Sequence, residues 1–295
     1  MSDFSTIISQ IFNGLQSGSV YALVALGYSM VYGIIMLLNF AHGDIIMVGA
    51  YVAWIMMSML ALPPIVGIVA AIAGCTLLGV LIEKAAYTPL RKSPRLSLLI
   101  TAIGVSFFLE NIAQLIMGAG AKSMPVIVSG PSISLGDTSI SFIAVVTIVV
   151  SVISMLLLTV LVQKTKMGKA MRAVSEDMGS AQLMGISVNK TISFTFAIGS
   201  ALAGIGAILY SCAYPQASPT MGSMLGLKAF VAAVLGGIGS IPGAMIGGFA
   251  IGLLEALVSA VGLSVWKDGV VFAILILVLL VKPTGIMGHA MTEKV

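Results

Sequence analysis

The sequence predicts an all-α polytopic membrane protein of about eight transmembrane helices, with two elements interrupted by Gly, Pro or polar residues. Three observations lead there. Hydrophobic residues fill 59% of the 295 positions and charged residues 8%, with a mean hydropathy of +1.15, which leaves too little polar surface to clothe a water-soluble globule. Apolar runs near the twenty or so residues that cross a hydrocarbon core of about 30 Å recur along most of the length. The runs are apolar on every face, whereas the strands of a membrane β-barrel would alternate over short segments.

Taken in order, the opening residues MSDFSTII lack a basic n-region, so the first apolar segment is expected to be retained rather than cleaved. Spans are expected near 11–38, 45–62, 65–82, 97–117, 142–162, 192–212 and 263–281. A further apolar stretch, 228–260, is too long and too interrupted for one helix. Basic residues orient these segments. Eleven of the fourteen fall on one side: Lys84, Arg91, Lys92 and Arg95, then Lys164, Lys166, Lys169, Arg172 and Lys190, then Lys282 and Lys294. Only Lys122, Lys228 and Lys267 remain for the other, so the first group is expected to be cytoplasmic. Lys190 and Lys282 then lie on the same side, and an even number of crossings must separate them. Hence 228–260 is a hairpin or a re-entrant pair turning in GGIGSIPG, residues 236–243, where Gly and Pro favour a break. Residues 1–38 hold no Lys or Arg, which leaves the side of the N-terminus open.

A second interrupted element runs from Gly33 to Tyr51, with the polar stretch NFAHGD (39–44) between two apolar halves. Its layout resembles that of 228–260, which raises the possibility of an inverted repeat with a site at the repeat interface. An Asp at bilayer depth costs roughly 2.5–3.5 kcal/mol on insertion scales, so Asp44 needs a partner, water or proximity to the interface. Asn39, His42 and Asp44 are candidates for lining a translocation path; the bland reading is a polar turn at the membrane surface. The amides of Gly236, Gly237 and Gly239 are candidates for the same path. Glu110 lies about 20 Å along its helix from the cytoplasmic end, toward the outer leaflet, where it either lines a vestibule or anchors the interface. Glu255 is expected to be structural, satisfying a backbone break or pairing with Lys228 or Lys267.

Other chemistry is excluded or unsupported. There is no GxxxxGK[ST] phosphate loop, and with only His42 and His289 present there is no HExxH zinc site and no supported Ser-His dyad. No metal or cofactor is expected. Cys75 and Cys212 lie in or beside apolar segments and read as packing residues. A net charge of +4, distributed by the inside rule, does not make a nucleic-acid-binding face. The one long hydrophilic island, 164–190, carries five of the fourteen basic residues, and its run 168–185 has helical spacing. It reads as a docking element at the bilayer surface, with a solvated amphipathic linker as the alternative.

Four runs then carry a family resemblance: NFAHGDIIMVGAY (39–51), RAVSEDMGSAQLMGI (172–186), KAFVAAVLGGIGSIPGAMIGG (228–248) and VLLVKPTGIMG (278–288). Together they resemble the permease subunits of bacterial branched-chain amino acid ABC importers, and the likeness covers nearly the whole chain. It implies one transmembrane permease domain over 1–295 in the bacterial inner membrane. The partners it implies are a homologous second permease subunit, two ATP-binding subunits and a periplasmic amino-acid-binding protein. It also implies that 164–190 is a cytoplasmic coupling loop, with Gly179-Ser180-Ala181 where these permeases carry EAA and Gly185 as the matching glycine. The Glu of that pattern is absent, although Glu176 and Asp177 lie just upstream. Arg172, Ala173, Glu176, Asp177, Ala181, Gly185 and Ile186 are the residues the resemblance assigns to coupling, on a short helix ended by Gly185. A permease for urea or short amides would keep every one of these motifs, and a passive small-solute channel would also explain interrupted helices.

Overall fold

The computed structural model describes residues 2–36, 38–91, 93–135 and 138–288; His289 and Lys294 lie outside the described residues, as does Lys92. α1 (Ser2–Ile35) is followed by a non-helical stretch and by α2 (His42–Trp54), which continues through a π turn, Ile55–Met59. α3 (Pro64–Ile82) runs through a second π turn, Glu83–Tyr87, into the single turn α4 (Thr88–Leu90). α5 (Arg95–Met117) leads to β1 (Lys122–Ser123), β2 (Ile133–Leu135) and β3 (Thr138–Ile140), and α6 (Phe142–Lys164) crosses back to α7 (Lys166–Glu176) and α8 (Met178–Leu183). After α9 (Val188–Ala213) and β4 (Gln216–Ala217) come α10 (Met221–Gly236), α11 (Ile241–Ala260), a 3₁₀ turn (Ser264–Trp266) and α12 (Lys267–Val281). Eight of the described helices are long and apolar enough to cross a membrane, and α10 is a shorter apolar helix. The protein is an all-α polytopic membrane protein.

Proline punctuates the starts. Pro64, Pro89 and Pro242 each occupy one of the first two positions of a helix, where the missing N–H costs nothing. α1 is the hub, and α11 packs antiparallel along it. Their crossing depends on Gly14 and Gly18 of α1 meeting Gly248 and Gly252 of α11, for a Cβ at Gly252 would strike the backbone of Gly14 and Gly18. With lipid outside as apolar as the helices themselves, such close backbone approach is what holds membrane helices together. A similar crossing sets Gly43 of α2 against Gly222 and Gly226 of α10. α3, α5, α6 and α12 turn apolar side chains such as Leu77, Leu115, Leu157 and Leu280 outward, as helices facing lipid or another subunit do.

The basic groups gather at one end. Arg91 donates to Asn189 (2.6 Å), joining the 84–95 and 164–190 groups on a common face, while Lys122 lies over the Trp54 ring at the opposite end. Gly33, near the C-terminal end of α1, touches Gly239, and Met30 and Ile34 lie beside Met171 and Arg172 of α7. α1 therefore ends at the basic face and begins at the opposite one, which settles the direction that the sequence left open.

Candidate functional site

The hydrophilic island is built as a two-part arm. Thr165 caps α7 by accepting from the Gly168 N–H (3.0 Å), and a side chain at Gly168 would strike the carbonyls of Leu161 and Val162, so the sharp α6–α7 corner requires glycine. The single helix expected over 168–185 is corrected here: the chain breaks at Asp177, whose extended backbone ends α7 and whose carboxylate caps α8 at the Ser180 N–H. Asp is among the best N-cap residues, and its preference outweighs continuation of the helix. Gly185 ends α8 with φ +80. The Gly185 N–H donates to Gln182 O and the Ile186 N–H to Ala181 O, both at 3.0 Å, which is a Schellman closure needing a left-handed residue at that position.

This arm has two sides. Met171, Val174 and Ala181 are buried and Ile186 packs on the same core, so Ala181 anchors the arm to the bundle rather than facing outward. Arg172, Glu176, Asp177 and Gly185 are exposed, and Ala173 is half-buried. Sequence reasoning missed the most exposed apolar side chains of the island, Leu183 at 90% and Met184 at 83%. A cavity of about 90 Å³ lies between Met171, Arg172 and Ser175 of α7, Met30 and Ile34 of α1, and Gly239.

The two interrupted elements lie at different depths. The His42 ring meets Gly27, eight residues before the end of α1, and packs edge-on against Tyr28 with ring centroids 4.8 Å apart. At the helical rise, eight residues are about 12 Å, so α2 begins well inside the bundle and the preceding stretch climbs to that level. The second break, by contrast, sits at the basic face. The Gly239 N–H donates to Ser29 Oγ (2.8 Å), and the tail 282–288 folds back over the break, with Ile286 N–H donating to Leu235 O and Met287 N–H to Gly236 O, both at 2.9 Å. The tail thus satisfies carbonyls that the end of α10 would otherwise leave orphaned. This gives the GIMG part of VKPTGIMG a physical role: Gly285 and Gly288 fit directly against Gly237.

The candidate path residues are buried, not lining an open channel. Asn39 accepts from Tyr87 Oη (2.9 Å), while its Nδ2, His42 Nε2 and both Asp44 carboxylate oxygens have no hydrogen-bond partner of good geometry among the described residues. Asp44 is 1% exposed, near Ser106 and Glu110 of α5. Glu110 faces inward and accepts from Ser223 of α10, so it is neither a lipid-interface anchor nor remote from Asp44. Gly236 and Gly237 are buried under the tail and Gly239 is exposed at the basic face.

Two ionic clusters went unread or half-read. Glu83 is fully buried and accepts from Arg91, Thr88 Oγ1 (2.7 Å) and Ser193 Oγ (2.7 Å), tying α3 to α9 at the basic end. Glu255 pairs with Lys228 at 2.7 Å, as the sequence allowed, and also accepts from Tyr21 Oη (2.8 Å); Asp268 completes the cluster at 2.7 Å from Lys228. Cys75 and Cys212 are free, and Cys75 donates to Ile45 O (3.2 Å) in a packed setting.

Comparison with known proteins follows this architecture. A family model described as "Branched-chain amino acid transport system / permease component" matches residues 10–279. The chain is 45% identical to the high-affinity branched-chain amino acid transport system permease protein LivH of Escherichia coli K12, over 99% of both chains. It is 43% identical to the corresponding permease protein BraD of Pseudomonas aeruginosa, over 98% of both. A probable branched-chain amino acid permease of Methanocaldococcus jannaschii is 30% identical over 92% of this chain and 89% of that one. Family match and full-length relatives agree with the all-α membrane architecture, and the chain belongs to the branched-chain amino acid transport permease family.

Proposed function

We propose that this chain is the inner-membrane permease subunit of an ATP-driven importer that carries leucine, isoleucine or valine, with ATP hydrolysis performed by separate subunits docked on its basic face. Positive charge marks the cytoplasmic side of inner-membrane proteins, so the arm α7–α8 faces the cytoplasm. The observation that carries the reading is the arm's two-sidedness. A capped, glycine-closed helix holds Leu183 and Met184 out into solvent, beside Arg172, Glu176 and Asp177, while Met171, Val174 and Ala181 fix its other side to the bundle. Exposed apolar side chains ringed by charge are what a partner surface binds.

Movement of a docked ATPase would then reach the spans directly. α7 abuts the end of α1 and Gly239, so displacing the arm bears on α1, the hub of the bundle, and on the second break. Packed interfaces shift between discrete arrangements rather than deforming smoothly, which suits alternating access. The unsatisfied polar atoms of Asn39, His42 and Asp44 are costly while buried, and a state that parts α1, α2 and α10 would turn them toward the passing ammonium and carboxylate. The remaining partners in this reading are a homologous second permease and a periplasmic binding protein.

The test uses the full importer in proteoliposomes. Leu183→Glu and Met184→Glu should reduce ATP-driven leucine uptake at least tenfold while the permease still inserts and pairs. Undiminished uptake in both variants would remove the arm from the mechanism.

A further inference from the structure

α5 departs from the other helices that turn outward. The exposed side chains along the middle of α3, α6 and α12 are apolar, Leu77, Leu157 and Leu277 among them, which is what hydrocarbon accepts. On α5, by contrast, Ile100, Gly104, Phe107 and Asn111 follow one another at helical spacing along the exposed face, so an open backbone notch and a primary amide share one stripe. At the helical rise, Gly104 lies about 14 Å and Asn111 about 24 Å from the start of α5 at the basic face, both inside a hydrocarbon core of about 30 Å. Neither residue is explained within the chain. Gly18, Gly43 and Gly252 each admit a neighbouring backbone, whereas a Cβ at Gly104 would meet nothing within 4 Å. Glycine weakens a helix interior, and its use in membrane helices is the close approach of another backbone. Asn111 gives one N–H to Phe107 O (2.7 Å), and its second N–H and its carbonyl oxygen have no partner among the described residues. Lipid tails would leave those groups unsatisfied. Notch and amide together call for a membrane helix that packs closely at Gly104 and exchanges hydrogen bonds with Asn111.

We propose that this face of α5 is the seam with the homologous second permease, one of whose membrane helices packs on Gly104 and bonds Asn111. This rests on the importer reading above and names the surface it uses. Of the partners in that reading, only another permease reaches this depth: the ATP-binding subunits dock on the basic face, and a periplasmic binding protein stays in water. The seam also borders the buried polar cluster. Glu110, next to Asn111 but turned inward, accepts from Ser223, and Gly222 beside that serine abuts the Asp44 backbone. Movement of one permease against the other at α5 would therefore reach Asp44 across a single helix.

The test uses the assembled importer with a tagged second permease. Phe107 is replaced by the photoreactive p-benzoylphenylalanine, and Leu277 of α12, equally exposed at 60%, is replaced in the same way for comparison. Illumination should join residue 107 to the second permease and residue 277 to lipid. Gly104→Leu fills the notch without touching any other part of this chain, and should lower recovery of the second permease on the tag at least tenfold in mild detergent. Asn111→Leu should lower it roughly threefold, the worth of one hydrogen bond between membrane helices. An adduct at 107 with lipid alone or with a second copy of this chain overturns the seam, as does full recovery of the second permease in Gly104→Leu. Wild-type leucine uptake is measured on the same preparation in proteoliposomes. ATP-driven uptake without the 107 adduct sinks the seam alone, and absence of ATP-driven uptake sinks the importer reading on which the seam rests.

Discussion

Glu83 shows what a buried carboxylate does when every acceptor is used. Arg91, Thr88 and Ser193 surround it, so Glu83→Ala would leave two hydroxyls facing an empty site and the Arg91 guanidinium without its carboxylate, held only by Asn189 and Thr88. Breaking such a pair costs about 3–5 kcal/mol, and the variant should unfold at clearly lower temperature in detergent; an unchanged thermal midpoint would refute the network. Ser29→Ala is milder. It removes the hydroxyl that receives the Gly239 N–H, which is worth about 0.5–1.5 kcal/mol, and should raise amide exchange around residues 237–240. Neither interaction was readable from the sequence, because Ser193 and Gly239 lie more than a hundred positions from their partners and nothing local marks the pairing. The pairing of Glu255 with Lys228 was one of three options the sequence offered, beside Lys267 and a backbone break, because unlike charges in apolar helices have few other partners, and packing chose among them.

At the scale of elements, the crossing of α1 and α11 is the most exacting contact. Gly252→Val would force β-branched bulk into the backbone of Gly14 and Gly18; overpacking of this kind costs about 1–3 kcal/mol, and expression of folded protein should fall accordingly. Asp177→Ala should cost α8 about 0.5–2 kcal/mol of capping and lower the coupling of ATP hydrolysis to leucine uptake, with membrane insertion unchanged. Helices were legible because hydrophobic length announces a span, and the break at 237–240 was legible because a charge count demanded an even number of crossings. The Asp177 break was present in the sequence as a strong N-cap residue, but continuous helical spacing across 168–185 masked it. Depth was not legible. Both interrupted elements read alike as polar or Gly-rich breaks, yet α2 starts level with Gly27 while the second break lies at the basic face, and only the packing of His42 on Gly27 and of Gly239 on Gly33 distinguishes them.

Across the whole molecule, direction and drive are linked. Because α1 ends at the basic face, a cysteine placed near residue 8 should react with impermeant reagents only from the side opposite the arm. Labelling from the arm's side would reverse the topology. The buried polar cluster lies on one side of the second break and the arm on the other, so a push on α7 reaches it through the helices the arm packs against, α1, α6 and α9. The most direct measurement combines contact with drive: Leu183→Cys, in the assembled importer, is cross-linked to the ATP-binding subunits, and leucine uptake is followed before and after. A cross-link at Leu183 that stops uptake, together with uptake that depends on ATP before cross-linking, is the expected result. Leucine flux that continues without ATP, or an arm that cross-links to no ATPase in the working complex, would contradict it.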